Sequence, residues 1–288
     1  MELLARDRCI RFPRRPLIMG IVNINDDSFC GDGRIDYRWA LEKGRELASQ
    51  GADIIDVGAE SARTNRFAIT PEEELRRLNP FLERFPTAWD GVEPRDASQI
   101  FPPLLSINTW RPEVAATALV SGGDLLNDLS ALQDDRNARA CAVTGAALVI
   151  MHSVGSPKIA QTHVTYQDAI GELMSFFRAK ISLAEKAGLP RNAIILDPGI
   201  DFAKQAADNL RIYRELEVFR EFERPILLPV SRKSVIGRVL GISDPGERDP
   251  ATAACIVAGM LRGASIFRVH NVEMAWRVIV SIQRLRGE

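Results

Sequence analysis

The sequence predicts an α/β protein of the (β/α)8 TIM barrel class, built as a single domain, on three observations. Short apolar runs alternate with longer amphipathic stretches from about residue 17 to the end, there are eight such runs, and polar residues stand at their C-terminal ends. The runs are 16–23 (PLIMGIVN), 53–58 (DIIDVG), 104–108 (LLSIN), 124–128 (DLLND), 147–151 (ALVIM), 193–197 (AIILD), 225–230 (PILLPV) and 265–269 (SIFRV). Right-handed crossovers in one direction close naturally at eight strands, with an open doubly wound sheet as the alternative. Residues 1–15 read as an N-terminal extension and 16–288 as the barrel domain.

Helical periodicity predicts helices near 36–50, 71–85, 111–121, 134–144, 165–188, 205–222, 249–262 and 271–286. The second has the clearest start. Thr70 offers a cap, Pro71 occupies the first helical position, and Glu72, Glu73 and Glu74 face the positive end of the dipole. Small residues close several helices just before a strand, as in Gly51-Ala52, Gly122-Gly123 and Gly145-Ala146, where glycine supplies a left-handed end. The four-proline segment 85–103 is the one long interruption; because it precedes a strand, it belongs to the lower face, away from where barrels do chemistry.

Composition narrows the function. With 37 Lys+Arg against 38 Asp+Glu the net charge is −1, a field too weak to favour nucleic acid or anionic membrane as partners. No apolar run approaches the roughly 20 residues of a membrane helix, the start lacks a secretory signal, and the four cysteines form no CxxC pair, so a reducing cytoplasm is expected.

The strand ends carry Asn23, Asp56 with Glu60, Asn108, Asn127 with Asp128, His152, Asp197, Ser231-Arg232-Lys233, and Arg268 with His270. Any one of them can be a helix cap or a surface group. Together on one rim, Arg63, Lys233, Arg268 and His270 suit a polyanion, and Asn108, Asn127 and Asp197 suit a flat heterocycle rich in donors and acceptors. No Ser–His–Asp triad or HExxH site is present. His163 reads as solvated, Cys30 as incidental, and Trp39, Trp89, Trp110 and Trp276 as packing or lower-face residues.

Seven segments in this order carry a specific likeness: MGIVNINDDSF (19–29), GADIIDVGAESAR (51–63), LLNDLSAL (125–132), IMHSVGSP (150–157), LDPGIDFAK (196–204), VSRKSVIGR (230–238) and FRVHNV (267–272). On these the sequence resembles dihydropteroate synthase of folate biosynthesis over nearly its whole length. The resemblance implies a transferase that displaces pyrophosphate from hydroxymethyl-dihydropterin pyrophosphate with p-aminobenzoate, using Mg2+, commonly as a homodimer; the last two helices are the expected interface. It implies that Asn23 helps bind magnesium and pyrophosphate, that Arg63, Arg268 and His270 hold the pyrophosphate, and that Asn127, Asp197 and Lys233 contact the pterin. It further sets Asn108 and Met151 among the substrate contacts, with Ser234 and Phe202 bordering the p-aminobenzoate pocket. Lys233, Arg268, Asp197 and Arg63 are the expected catalytic set.

Departures from the family pattern are equally specific. Asn108 stands where the family usually has Asp, Ala62 and Thr64 alter the second loop, Asn25-Asp26-Asp27 alters the first, and Asp201, Ala203 and Pro229 replace glycines. These leave open a weakened synthase with altered sulfonamide binding, or a repurposed pterin-binding paralogue; a methyl-tetrahydrofolate methyltransferase with a similar barrel fits less well.

Overall fold

The apolar runs become strands because they are covered on both faces, so they read as continuous aliphatic stretches instead of alternating ones. The computed structural model describes residues 1–25, 33–61, 67–159, 161 and 163–287. Its barrel strands are β3 (Leu17–Asn23), β4 (Ile54–Gly58), β5 (Leu104–Asn108), β6 (Leu125–Asp128), β7 (Ala147–Met151), β8 (Ile194–Asp197), β9 (Leu227–Pro229) and β10 (Ile266–Val269). They lie parallel in the order β8-β7-β6-β5-β4-β3-β10-β9. A bridge between Leu196 and Ile226 joins the two ends into a closed barrel.

Helices pack outside: α1 (Tyr37–Ser49), α2 (Pro71–Leu82), α3 (Pro112–Val120), α4 (Arg136–Thr144), α5 (Ala169–Lys186), α6 (Ala206–Arg214), α7 (Ser234–Leu240), α8 (Asp249–Leu261) and α9 (Val272–Arg286). The Thr70 hydroxyl accepts from the Glu73 amide at 3.2 Å, which is the cap expected for α2. Gly145 closes α4 with φ +75°, as its place before β7 requires.

Three elements differ from the periodicity. The helix expected over 205–222 breaks after Arg214 into a 3-10 stretch, Leu216–Phe222, that still buries Leu216, Phe219 and Phe222. A helix absent from the expected set, α7, follows β9 within the SRKS segment. Residues Glu2–Ala5 (β1) and Arg8–Arg11 (β2) pair as an antiparallel hairpin, and its Leu3, Ala5 and Ile10 are buried against Leu17, Ile54, Leu104 and Leu227. Period-2 alternation aims these side chains into the bottom of the barrel, so the hairpin plugs that end.

The segment 85–103 crosses the same lower face. Phe85 stacks edge-on against Trp89 with centroids 4.8 Å apart, and the Gln99 amide donates to the Ala48 and Ala52 carbonyls at 2.8 and 2.9 Å. Beneath it, Arg15 forks onto both oxygens of Asp53 at 2.8 and 2.9 Å, and the same carboxylate accepts from the Ile18 and Ile100 amides. Burial pushes the Asp53 carboxyl up, against the pull of Arg15. Removing one partner of such a buried pair leaves an uncompensated charge. Arg15→Met is expected to lose about 3 kcal/mol of stability in urea titrations with activity per folded molecule retained; a loss of activity without a loss of stability would refute the structural role.

Candidate active site

Each barrel strand sends alternate residues inward, apolar at the bottom and polar at the top. On β4 this alternation runs Ile54, then Asp56; on β5 it runs Leu104, Ser106, Asn108; on β6, Leu125, Asn127. Registration puts Asp56 beside Ser106 and Asn108 beside Asn127. These four side chains and Arg268 therefore meet at one level.

Asp56 is the junction. It is 0% exposed, and its oxygens accept from the Ser106 hydroxyl at 2.6 Å, the Asn108 and Asn127 amides at 3.2 Å, and the Arg268 Nε at 2.7 Å. With its nitrogen spent on Asp56, Asn127 has its Oδ1 buried and without a partner, an acceptor held ready for a ligand. Arg268 keeps its terminal nitrogens while its Nε is tied down.

Across the barrel Asp197 ends β8 and is nearly fully buried. Burial pushes its carboxyl up to about 6, opposed by the Gly199 amide at 2.7 Å and by Lys233, Lys204 and Arg268. Lys233 donates to the Ile200 carbonyl at 3.0 Å and sits 5.0 Å from the Phe202 ring centroid; burial lowers its pKa. The Ser231 hydroxyl lies 2.8 Å from His270 Nδ1, beside Arg268 on the next strand.

The loop after β8 is held from behind by Lys204. Its ammonium is buried and meets His152 Nδ1 at 2.8 Å and the Gly199 and Phe202 carbonyls at 3.0 Å. Burial brings Lys204 down to about 7; burial, then Lys204, brings His152 down to about 3, so the ring is neutral and accepts. Gly199 has φ +68°, and a Cβ there would stand 1.9 Å from the His152 carbonyl, so this turn admits glycine alone.

One cavity of about 640 Å3 stands at the C-terminal end of the strands, where (β/α)8 barrels do chemistry; Asp56, His152 and Lys204 lie behind its lining. Asn23, Asn108, Asn127, Met151, Asp197, Phe202, Lys233, Ser234, Arg268 and His270 all border it. Arg63, with Ala62 and Thr64, lies outside the described residues, as do Asp26 and Asp27 of the first loop. Trp110 corrects an expectation: it does not belong to the lower face but lines the cavity, with the Arg111 guanidinium 4.9 Å from its ring centroid. Following directly after β5, it is carried to the upper rim. Lys158 reaches over from the loop after β7 to the Ser61 carbonyl at 2.9 Å and Glu60 at 3.4 Å, bridging two rim loops.

Asp56 and Lys204 were legible only in part. The sequence places Asp56 at the rim with no role attached, although inward alternation from Ile54 marks it; nothing local marks Lys204, whose partners are carbonyls of its own loop and of β7's end. The Asn108 amide now has a physical context. An Asp there would set a second carboxyl group 3.2 Å from Asp56, beside the Arg268 guanidinium. Asn108→Asp is expected to preserve or raise activity in initial-rate measurements, as the family pattern with Asp at that position implies; a complete loss would show that the amide bond to Asp56 is required.

A family model described as pterin binding enzyme matches residues 19–270. The dihydropteroate synthase of Escherichia coli (strain K12) is 34% identical over 277 residues, 95% of this chain and 92% of that protein. The fold matches the Yersinia pestis dihydropteroate synthase, solved with a sulfonamide drug complex, with TM-score 0.88 at 31% identity, over 100% of this chain and 99% of that one. It matches the Xanthomonas albilineans dihydropteroate synthase, solved with 4-aminobenzoic acid, with TM-score 0.84 at 31% identity, over 100% and 98%. A cavity with a polar floor and a basic wall, in a chain alike from end to end to these proteins, places the chain in the pterin-binding enzyme family, among the dihydropteroate synthases.

Proposed function

We propose that the chain condenses p-aminobenzoate with hydroxymethyl-dihydropterin pyrophosphate, releasing pyrophosphate and forming dihydropteroate. The carrying observation is the buried floor around Asp56 and Asp197 beside the cations Arg268 and Lys233. Asp197 accepts from ring N–H and amino groups, the unpartnered Asn127 Oδ1 accepts a further hydrogen bond, and Lys233 donates to the ring's acceptor edge. Arg268, Ser231 and His270 take the pyrophosphate, and Arg63 is proposed to join them.

The C–O bond to pyrophosphate breaks and its electron pair leaves on oxygen, where Arg268 stabilises the developing charge. The ring shares the positive charge left on the methylene, the arylamine nitrogen attacks it, and the proton from that nitrogen passes to water. An arylamine is nucleophilic without a general base, which fits a site lacking a triad. Among the described residues no three His, Cys, Asp or Glu side chains converge on a metal. A divalent ion that shares its shell with pyrophosphate needs only one or two protein oxygens, and Asn23, which borders the cavity, has the amide oxygen for that part. Bound there, Mg2+ would supply charge neutralisation to the leaving group.

We also propose a homodimer through α8 and α9, which expose Leu261 and Leu285, and a reducing cytoplasmic setting, in keeping with the free thiols of Cys9, Cys141 and Cys255. Among the described residues no helix is long and apolar enough to cross a membrane.

Pyrophosphate release with Mg2+ and the pterin substrate, dependent on p-aminobenzoate, is the expected result; pterin binding without release would mark a non-catalytic paralogue. Lys233→Ala is expected to lower kcat/KM at least about a hundredfold while its melting temperature stays within a few degrees of wild type; a collapsed melting temperature with intact specific activity would refute this role. Because Asp197 must be ionised, kcat/KM is expected to fall as pH drops through about 6. Stability should move the other way. A carboxyl raised above its unfolded value of about 4 contributes stability at low pH that is lost as pH rises through about 6. Asp197→Asn should abolish both trends in rate profiles and thermal melts.

A further inference from the structure

The cavity has three walls of different chemistry. The floor suits a polar ring and the basic wall a pyrophosphate, which leaves the aromatic and small-residue wall of Phe202, Ala203, Pro157 and Ser234 for the arylamine. The acidic group on that wall is Asp201. Its side chain is 12% exposed, yet its backbone sits at φ +68°, a conformation L side chains seldom adopt. The strain is offset by three sets of hydrogen bonds. Its amide donates to Asn209 Oδ1 at 2.8 Å, and its carboxylate accepts from the Ser234 hydroxyl at 3.0 Å and from the Val235 amide at 3.2 Å. Its nearest ion-pair partner, Arg238, is 3.6 Å away and more than half exposed. Lys233 is turned to the Ile200 carbonyl and the Phe202 ring instead. The polar hydrogens of this wall are thus taken up by the chain's own carboxylate, whose charge already acts on Lys233 and Lys204.

We propose that Asp201 is a specificity-determining residue that weakens the hold on an anionic substituent of the arylamine, so that p-aminobenzoate, though a substrate, is bound less tightly than an amine with a neutral far end. The inference rests on the reading that an arylamine is the second substrate. A second carboxylate brought to this wall meets a like charge in partly desolvated surroundings and finds the Ser234 and Val235 donors engaged. It has to displace Asp201 or bind weakly.

Asn at position 201 tolerates the left-handed backbone and keeps an acceptor oxygen for Ser234 and Val235, so Asp201→Asn removes the charge and little else. Wild type and Asp201→Asn would be compared with p-aminobenzoate and with neutral p-aminobenzamide. The readouts are kcat/KM with the pterin pyrophosphate, and dissociation constants on protein saturated with 6-hydroxymethylpterin and inorganic pyrophosphate. The expected result is a shift of about tenfold toward p-aminobenzoate in the variant, with p-aminobenzamide changed less than about twofold. An unchanged ratio, an equal shift for both amines, or binding of neither amine by either protein overturns the proposal. A shifted binding ratio with no turnover of either amine overturns the condensation reading and leaves the role of Asp201 standing.

Discussion

The upper half of this barrel is organised around the burial of one carboxylate. Asp56 draws a hydroxyl, two amides and a guanidinium from β5, β6 and β10 onto itself, in a place with no water to replace them. An ionised group so enclosed is tolerated only when its acceptor sites are filled. Filling them orients the partners: the Asn127 nitrogen is committed, so its oxygen is left without a partner at the cavity, and Arg268 is held at its Nε. Recognition on the floor is thus a by-product of solvating an internal charge.

The opposite wall works by a similar logic with the signs exchanged. Lys204 is a buried cation whose partners are mostly backbone carbonyls, and meeting them imposes a shape on the loop from Gly199 to Phe202. That loop in turn offers the Ile200 carbonyl to Lys233. One hidden lysine thereby sets the place of a second that faces the cavity. Asp197 lies between them, pushed up by burial and held down by both.

Much of this was legible in the sequence, for identifiable reasons. Strand positions follow from aliphatic runs buried on both faces, and rim residues from their place at the ends of those runs. The breakdown of the helix after Arg214 was not legible, because Leu216, Phe219 and Phe222 keep an apolar spacing that a 3-10 stretch also satisfies. Helix α7 is too short to show a period of its own. Residues 2–11 are short and half polar, and only contact with the barrel bottom reveals why Leu3 and Ile10 are apolar. Within the site, residue type announced which groups are polar but not which of them satisfy one another. Asn108 and Asn127 look equivalent along the chain; the shared partner Asp56 and the orphaned oxygen of Asn127 emerge only when neighbouring strands are brought into register.

The barrel's closure is uneven. Seven strand junctions are ladders, whereas β8 and β9 meet through the Leu196–Ile226 bridge, supported by the Leu196 amide on the Pro225 carbonyl at 3.0 Å. A cylinder with one thin seam opens there first, because the fewest cooperative bonds must break together. The seam runs between the strand that ends in Asp197 and the strand that leads to Lys233. Breathing of the barrel and access to its most acidic and most basic walls are therefore one motion, and amide exchange along β8 and β9 becomes a gauge of how firmly a bound molecule clamps the cylinder shut.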